Sequence, residues 1–112
     1  AGDFPWRIHE ELGAIGYFGF GVSDAHGGLG FDDAFMRAAA SEEMAKAGGS
    51  SVWAGVGGRS ISIGPIEHLA NEEIRDRALE DIVLGRKGSC LAITEPGGGS
   101  DVANLKTTAR RG

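Results

Sequence analysis

Along most of this chain apolar side chains recur every three or four residues, which is the spacing of α-helices that bury one face. Four segments show the pattern: residues 5–16, 33–47, 50–69 and 72–84. The positions assigned to their apolar faces are Trp6, Ile8, Leu12, Ile15, Phe35, Met36, Ala39, Ala40, Met44, Val52, Trp53, Val56, Ile61, Ile63, Ile66, Leu69, Ile74, Ala78, Leu79, Ile82 and Val83. The sequence therefore predicts a mainly α-helical fold.

Residues that favour helix ends support these segments. The predicted N-caps are Asp3 (with Pro5 near the first helical position), Asp32 or Asp33, Ser50 or Ser51, and Asn71, and the predicted stops are Gly48 and Gly85. The third helix also contains Gly55, Gly57, Gly58 and the pair Gly64-Pro65. Because glycine and proline weaken a helix, we expect it to hold only where other segments pack closely against it.

Two segments between and after these helices have a different pattern. Residues 16–30 mix aromatic and apolar side chains with glycine, which predicts an ordered loop packed on the core. Residues 90–93 are all apolar and predict a buried strand, with Cys90 as an inert buried thiol and Thr94 as the residue that follows. A second strand is predicted from Leu105 to about Arg110.

The predicted first strand ends in a turn rich in glycine. Pro96 lacks an N–H and fixes its own φ, and Gly97, Gly98 and Gly99 can adopt φ values that other residues rarely take. Glycines without a Cβ let backbone N–H groups approach a phosphate, and Ser100 adds a hydroxyl donor. The turn is thus a candidate anion site. The simpler alternative is a Pro-Gly turn between two strands with no ligand.

Composition limits the function further. The chain has 112 residues, of which 20 are glycine, and a formal net charge of −5 without a dense basic tract, which argues against nucleic-acid binding. No stretch has the length and hydropathy of a membrane span or the plan of a secretion signal, so we expect no membrane insertion. A single cysteine fits a reducing compartment. We expect a soluble, intracellular protein of one small domain.

Few residues are candidates for chemistry on their own. His9, His26 and His68 are scattered, without carboxylates or cysteines at metal-ligand spacing, so we expect surface histidines and no metal site. Ser100 and Asp101 are adjacent and lack the Gly-x-Ser-x-Gly elbow, which argues against a hydrolase triad. Gly19-Phe20-Gly21 has Asp24 where a dinucleotide fingerprint needs glycine.

Residues 93–109, Ile-Thr-Glu-Pro-Gly-Gly-Gly-Ser-Asp-Val-Ala-Asn-Leu-Lys-Thr-Thr-Ala, resemble the flavin-binding signature of the acyl-CoA dehydrogenases. Phe4-Pro5-Trp6, Gly27-Gly28-Leu29-Gly30, Glu42-Glu43-Met44-Ala45-Lys46 and Asn71-Glu72-Glu73 also occur in the family's order and spacing. The resemblance covers essentially the whole chain. It implies a helical-bundle N-terminal domain at residues 1–87, and the first one or two strands of an incomplete middle β domain at residues 88–112.

The resemblance also implies residue roles. Leu91, Ile93 and Thr94 match positions that line the flavin ring and bind its polar edge, although the family often has an aromatic residue where this chain has Leu91. Gly99 and Ser100 match positions at the FAD pyrophosphate, and Ser100 also lies near the acyl-CoA thioester in the family. Gly57 and Gly58 are expected to border the acyl cavity. The family's catalytic glutamate lies beyond this chain, so no catalytic residue is predicted here.

The implied function is that of a fragment of an FAD-dependent acyl-CoA dehydrogenase, which removes the α proton and the β hydride of an acyl-CoA thioester. Electrons would pass from the flavin to an electron-transfer flavoprotein or a similar acceptor. The expected location is the cytoplasm, or the mitochondrial matrix in a eukaryote. The alternative is a stand-alone helical interaction module, which forms a homo-oligomer through its uncovered apolar faces. Flavin-dependent monooxygenases and nitroalkane oxidases resemble the same family and remain a third possibility.

Overall fold

A computed structural model describes residues 2–56 and 59–110, with the side chains of residues 59 and 60 excepted. Five α-helices are found in these residues: α1 (Trp6–Ala14), α2 (Ala34–Lys46), α3 (Ser50–Val56), α4 (Arg59–Leu69) and α5 (Glu72–Val83). Short 3-10 helices occur at Tyr17–Gly19, Asp24–His26 and Val102–Asn104. The prediction of a mainly α fold is confirmed.

Three of the predicted helix ends are found where the sequence placed them. The carboxylate of Asp33 accepts the Met36 N–H at 2.9 Å, and the amide oxygen of Asn71 accepts the Ile74 N–H at 2.9 Å. Each side chain satisfies one of the backbone donors that a helix N-terminus leaves free. After α5, Gly85 adopts a φ of +72°, a left-handed conformation that favours glycine and ends the helix.

Two predictions about the other helices are changed. Asp3 does not cap α1, because Pro5 occupies the N-cap position and no side chain bonds the first turn. The predicted third helix, 50–69, is described as α3 and α4. Residues 57 and 58 lie outside the described residues, and the expectation that Gly57 and Gly58 border an acyl cavity lies there too.

The core joins α1, the loop after it, and α3, α4 and α5. Its buried hydrophobic residues are Leu12, Phe18, Val22, Val56, Ile63, Leu79, Ile82 and Val83. Phe18 and Val22 belong to the segment between α1 and α2, which confirms that this glycine-rich loop is ordered and packed on the core. A Cβ on Gly28 would lie 2.1 Å from the Val22 carbonyl oxygen, so the loop packs backbone against backbone there.

Helix α2 differs from the others because none of its residues is buried. Phe35 is 87% exposed and Met36 is 52% exposed, although the sequence assigned both to a buried face. Only Met44 packs, half-buried, against the core. Ile15 after α1 is also exposed rather than part of the apolar stripe. Apart from Met44, the large apolar side chains predicted for the buried face of α2 are therefore exposed among the described residues.

His9 is buried, so the expectation of a surface histidine is wrong at this position. It is 7% exposed and lies among the rings of Phe4, Trp6 and Phe18, whose centroids are 5.5, 5.6 and 4.7 Å from its own. Its place on the inner face of α1, beside Leu12, explains the burial. For His68 the surface prediction is confirmed, and His26 is half-buried.

The predicted strands do not form. Among the described residues, the chain after α5 has a single β-bridge, between Glu95 and Gly98, and no strand at residues 90–94 or 105–110. A strand needs a neighbour that pairs with its backbone N–H and C=O groups, and no described segment lies alongside in that way. Without such cover Cys90 is exposed, which corrects the prediction of a buried thiol.

Candidate functional site

The glycine-rich turn is closed by backbone hydrogen bonds at its base. The Glu95 N–H donates to the Gly98 carbonyl at 2.9 Å, and the Gly98 N–H donates to the Glu95 carbonyl at 3.1 Å. Pro96 and Gly97 occupy the two central positions, where proline is pre-set for a turn because its φ is fixed. The turn predicted from the Pro-Gly run is confirmed.

Glu95 also holds the chain that returns to the turn. Its carboxylate accepts the Lys106 N–H at 3.0 Å and the Thr107 N–H at 2.7 Å, and the Thr107 hydroxyl donates to it as well. The hydrogen bond from the Thr107 hydroxyl, followed by those from the two backbone amides, lowers the pKa of Glu95 below its ordinary value. Sequence reasoning missed this role, because no pattern links a glutamate to amides eleven and twelve residues later.

The resulting loop, 95–107, encloses an open cleft of about 1060 Å³. Its ionisable lining groups are Glu95, Asp101 and Lys106, two carboxylates against one ammonium. That balance disfavours a phosphate inside the cleft. None of the five predicted cofactor residues lines it, although Gly97 and Gly98 of the turn do.

The three turn glycines are not needed by the fold. None of Gly97, Gly98 and Gly99 has a positive φ, so the expected use of special backbone angles is wrong for them. A Cβ on Gly97 or Gly98 would meet nothing within 4 Å, and a Cβ on Gly99 would meet only the Thr94 methyl carbon, at an ordinary 3.7 Å. Glycine at these three positions leaves the turn without side chains that would cover its backbone.

Hydrogen-bond donors are available beside these glycines. Within the described part of the chain, the backbone N–H groups of Gly99 and Ser100 donate to no acceptor, and the hydroxyls of Thr94 and Ser100 have no partner. A Cβ built on Gly99 would lie 3.7 Å from the Thr94 methyl carbon, so these two predicted residues are close neighbours. Free N–H and O–H groups around an open backbone are what an oxyanion ligand needs.

Leu91 and Ile93, predicted to line a flavin ring, are partly exposed. Their exposed fractions are 45% and 36%, in an extended segment without regular structure. They offer an apolar surface that a flat ring would cover. Their roles, like those of Thr94, Gly99 and Ser100, stay predictions.

Membrane-spanning helices and metal-binding clusters are both absent from residues 2–56 and 59–110. No helix there is long and apolar enough to cross a membrane. No group of three or more His, Cys, Asp or Glu side chains in the same ranges is arranged to hold a metal ion.

Comparison with known proteins identifies the relatives of the chain. The family model described as "Acyl-CoA dehydrogenase, N-terminal domain" matches residues 1–86. The chain is 34% identical over 97% of its length to the protein named "Caffeyl-CoA reductase-Etf complex subunit CarC" of Acetobacterium woodii, and covers 28% of that protein. It is 31% identical over 96% of its length to human "Short-chain specific acyl-CoA dehydrogenase, mitochondrial", and covers 26% of it.

The chain is also similar to the protein named "3-(aryl)acrylate reductase" of Clostridium sporogenes, with 30% identity over 96% of its length. No solved structure matches the chain. The chain spans about a quarter of the length of these relatives. Because the family model matches most of the chain, from residue 1 to residue 86, the chain belongs to the acyl-CoA dehydrogenase family.

Proposed function

We propose that this chain is part of an FAD-dependent acyl-CoA dehydrogenase and supplies one half of the flavin site from residues 91–100. The observation that carries the proposal is the open glycine turn. Gly97, Gly98 and Gly99 are required neither by backbone angle nor by packing, and unpaired N–H donors of Gly99 and Ser100 stand beside them. Both features suit a diphosphate that must come within hydrogen-bond distance of the backbone.

Each residue of the half-site has a role that its chemistry supports. The N–H groups of Gly99 and Ser100, with the Ser100 hydroxyl, would donate to the FAD pyrophosphate, and Ser100 would also lie near the acyl-CoA thioester. The Thr94 hydroxyl would bind the polar edge of the flavin. Leu91 and Ile93, which are partly exposed, would lie against the ring and exclude water from it.

The chemistry implied for the complete enzyme is the removal of two hydrogens from adjacent carbons of an acyl-CoA thioester. When bound, FAD would supply the acceptor for the β hydride. None of the described residues is proposed as the base that takes the α proton. The names of two relatives, a caffeyl-CoA reductase subunit and a 3-(aryl)acrylate reductase, describe reduction, so we propose the CH–CH/CH=CH pair without committing to its direction.

An electron-transfer flavoprotein is the proposed redox partner of the complete enzyme. Support comes from the relative in Acetobacterium woodii, which is named as a subunit of a complex with Etf. We further propose a cytoplasmic location, or the mitochondrial matrix in a eukaryote, since the human relative is named as mitochondrial. The lone exposed thiol of Cys90 is compatible with a reducing compartment.

Titration of the chain with FAD, followed by calorimetry, tests the half-site. Thr94→Ala and Ser100→Ala each remove a proposed hydrogen bond, so we expect each to weaken binding by about tenfold. Thr108→Ala removes an exposed threonine hydroxyl outside the turn and is the matched control. Absence of saturable binding, or equal weakening by the control, would count against a half-site on this chain.

A second candidate function is that of a helical interaction module that forms a homo-oligomer. The exposed apolar face of α2, with Phe35 87% exposed, favours it, because large uncovered apolar patches promote association. Phe35→Glu should then lower the association state in sedimentation velocity. Identical monomeric profiles for the variant and the original chain would eliminate this candidate.

A further inference from the structure

Residues 86–89 connect the end of α5 to the segment that carries the proposed flavin half-site, and we name them the junction. Residues 88–94 make no backbone hydrogen bond to another described residue. The loop that follows, 95–107, is closed by hydrogen bonds within itself. Among the described residues, the polar contacts between this part of the chain and the helices are therefore concentrated at the junction.

The first contact ties the start of the junction to α5. The backbone N–H groups of Arg86 and Lys87 donate to the Asp81 carbonyl at 2.8 and 3.0 Å. Their side chains also bind the Asp81 carboxylate, at 2.7 and 2.6 Å. Both cationic side chains are exposed, and exposed ion pairs contribute little free energy, so we look to the buried contacts for stronger constraints.

The second contact comes from His9 of α1, which is buried. Its Nε2 lies 3.2 Å from the Lys87 carbonyl oxygen, and because a carbonyl only accepts, Nε2 carries the proton. The other ring nitrogen, Nδ1, is buried without a hydrogen-bond partner among the described residues. A buried acceptor without a partner costs free energy, and a ring without nitrogen would avoid that cost. What histidine adds at this position is the hydrogen bond to the junction.

The third contact comes from Ser62 of α4, which is 4% exposed. Its hydroxyl lies 2.6 Å from the hydroxyl of Ser89, the last residue of the junction. Ser89 itself is exposed and stands two residues before Leu91. Two residues of extended chain span at most about 7 Å, so this hydrogen bond restricts where Leu91 can lie.

We propose that His9 and Ser62 are positioning residues of the proposed flavin half-site. They hold the junction so that Leu91, Ile93 and Thr94 already lie where the flavin would contact them. A segment that is held in its binding position loses less conformational entropy when the ligand binds. The inference rests on the proposed function and extends it, because it gives side chains of α1 and α4 an effect on flavin affinity without contact with the flavin.

The double variant Ser62→Ala/Ser89→Ala tests the serine contact. Because both partners are removed, no buried hydroxyl loses its partner, and the midpoint of urea denaturation should stay unchanged. The heteronuclear ¹⁵N NOE of residues 90–94, which reports order on the picosecond-to-nanosecond timescale, should fall. Affinity for FAD, measured by calorimetry, should fall about tenfold. An unchanged NOE would overturn the positioning role of Ser62.

Two single variants are the controls. Ser41→Ala removes a serine hydroxyl that donates to the Arg37 carbonyl at 2.8 Å within α2, and it should change neither the NOE nor the affinity. Ser89→Thr keeps a hydroxyl at the exposed end of the contact and should preserve both values. If Ser41→Ala lowers them as much as the double variant does, or if Ser89→Thr loses them equally, the serine contact is not what positions the segment.

His9→Phe tests the histidine contact. Phenylalanine keeps a ring against its aromatic neighbours, removes the donor to Lys87 and also removes the unpaired Nδ1. We expect an unchanged or higher midpoint of urea denaturation, a lower NOE at residues 90–94 and about tenfold weaker FAD binding. Original values of NOE and affinity would overturn the role of His9. A parallel fall of stability, NOE and affinity would also overturn it, because His9 would then serve the fold alone.

The NOE is measured without FAD, so the two proposals fail in different ways. If the original chain binds no FAD, the flavin half-site is overturned, whereas the NOE of the double variant still decides whether the serine contact holds residues 90–94. If the original chain binds FAD and all the variants bind it equally well, the half-site stands and the positioning role is overturned.

Discussion

Alanine substitution should have opposite effects on stability at glycines that the packing of the fold requires and at glycines that only leave room for a ligand. Gly13 serves the fold: a Cβ there would lie 2.4 Å from the Leu84 carbonyl carbon and oxygen and 2.5 Å from the Gly85 nitrogen. All three obstructing atoms are backbone, so no side chain can rotate away. Gly97 is the opposite case, because a Cβ there meets nothing within 4 Å.

The size of the effect follows from these distances. At Gly13 the closest approach is about 1 Å shorter than the 3.4 Å at which ordinary contact begins, so α1 and the end of α5 must separate. Overpacking of this kind costs about 3 kcal/mol at the upper end of its usual range. Alanine in a helix recovers about 1 kcal/mol over glycine, which leaves a net loss of about 2 kcal/mol for Gly13→Ala. Gly97→Ala should change the free energy of unfolding by less than about 0.5 kcal/mol.

Urea denaturation followed by circular dichroism measures both values, and Gly55→Ala is the control. Gly55 lies inside α3, and a Cβ there would meet only a ring carbon of Phe4, at an ordinary 3.9 Å, so it isolates the gain in helix propensity. We expect Gly97→Ala to weaken FAD binding while leaving stability unchanged. If Gly97→Ala destabilises the chain as much as Gly13→Ala, the turn glycines serve the fold and the argument for the open turn fails.

Three other predictions concern single contacts. Glu95→Gln should speed hydrogen exchange at the backbone N–H groups of Lys106 and Thr107, which donate to the Glu95 carboxylate. Because these hydrogen bonds lower the pKa of Glu95, they should be fully formed above pH 4.5 and lost as the pH falls through the lowered pKa, which would shift both amide resonances. Leu79→Ala, at a side chain with no exposure, should cost about 3 kcal/mol in urea denaturation, whereas Leu69→Ala, 82% exposed, should cost less than about 0.5 kcal/mol; equal losses would contradict the assigned core. Asn71→Ala should cost about 1 kcal/mol through the lost cap and Asn71→Asp almost nothing, so a loss common to both would mean that the cap oxygen is unimportant.

Local signals in the sequence predicted the helices well. Asp33 and Asn71 cap α2 and α5 as predicted. A cap depends only on residues within three positions, so the local sequence is enough to predict it. The buried face of α5 is also found as predicted for Leu79, Ile82 and Val83, although Ile74 is 41% exposed. These features need little knowledge of the rest of the fold.

Features that depend on distant segments were not predictable in the same way. A strand at 90–94 requires a neighbouring strand for pairing, and an apolar pattern does not show which segment would provide it. Burial of His9 depends on Phe18, which lies in the loop after α1, and on Lys87 after α5. The Glu95 contacts and the apolar face of α2 likewise depend on which segments lie nearby. The predicted domain boundary between residues 87 and 88 stays a prediction.

The lack of buried residues in α2 has a consequence for how the chain opens. Thirteen residues are close to the minimum length at which a helix persists in water, so α2 relies on the Asp33 cap, the Lys46–Glu43 ion pair and the packing of Met44. Little free energy separates its folded from its melted form. Sub-global fluctuations should therefore release α2 while Leu79 and the rest of the core stay folded, and among the described helices α2 should be the one that a protease cleaves first.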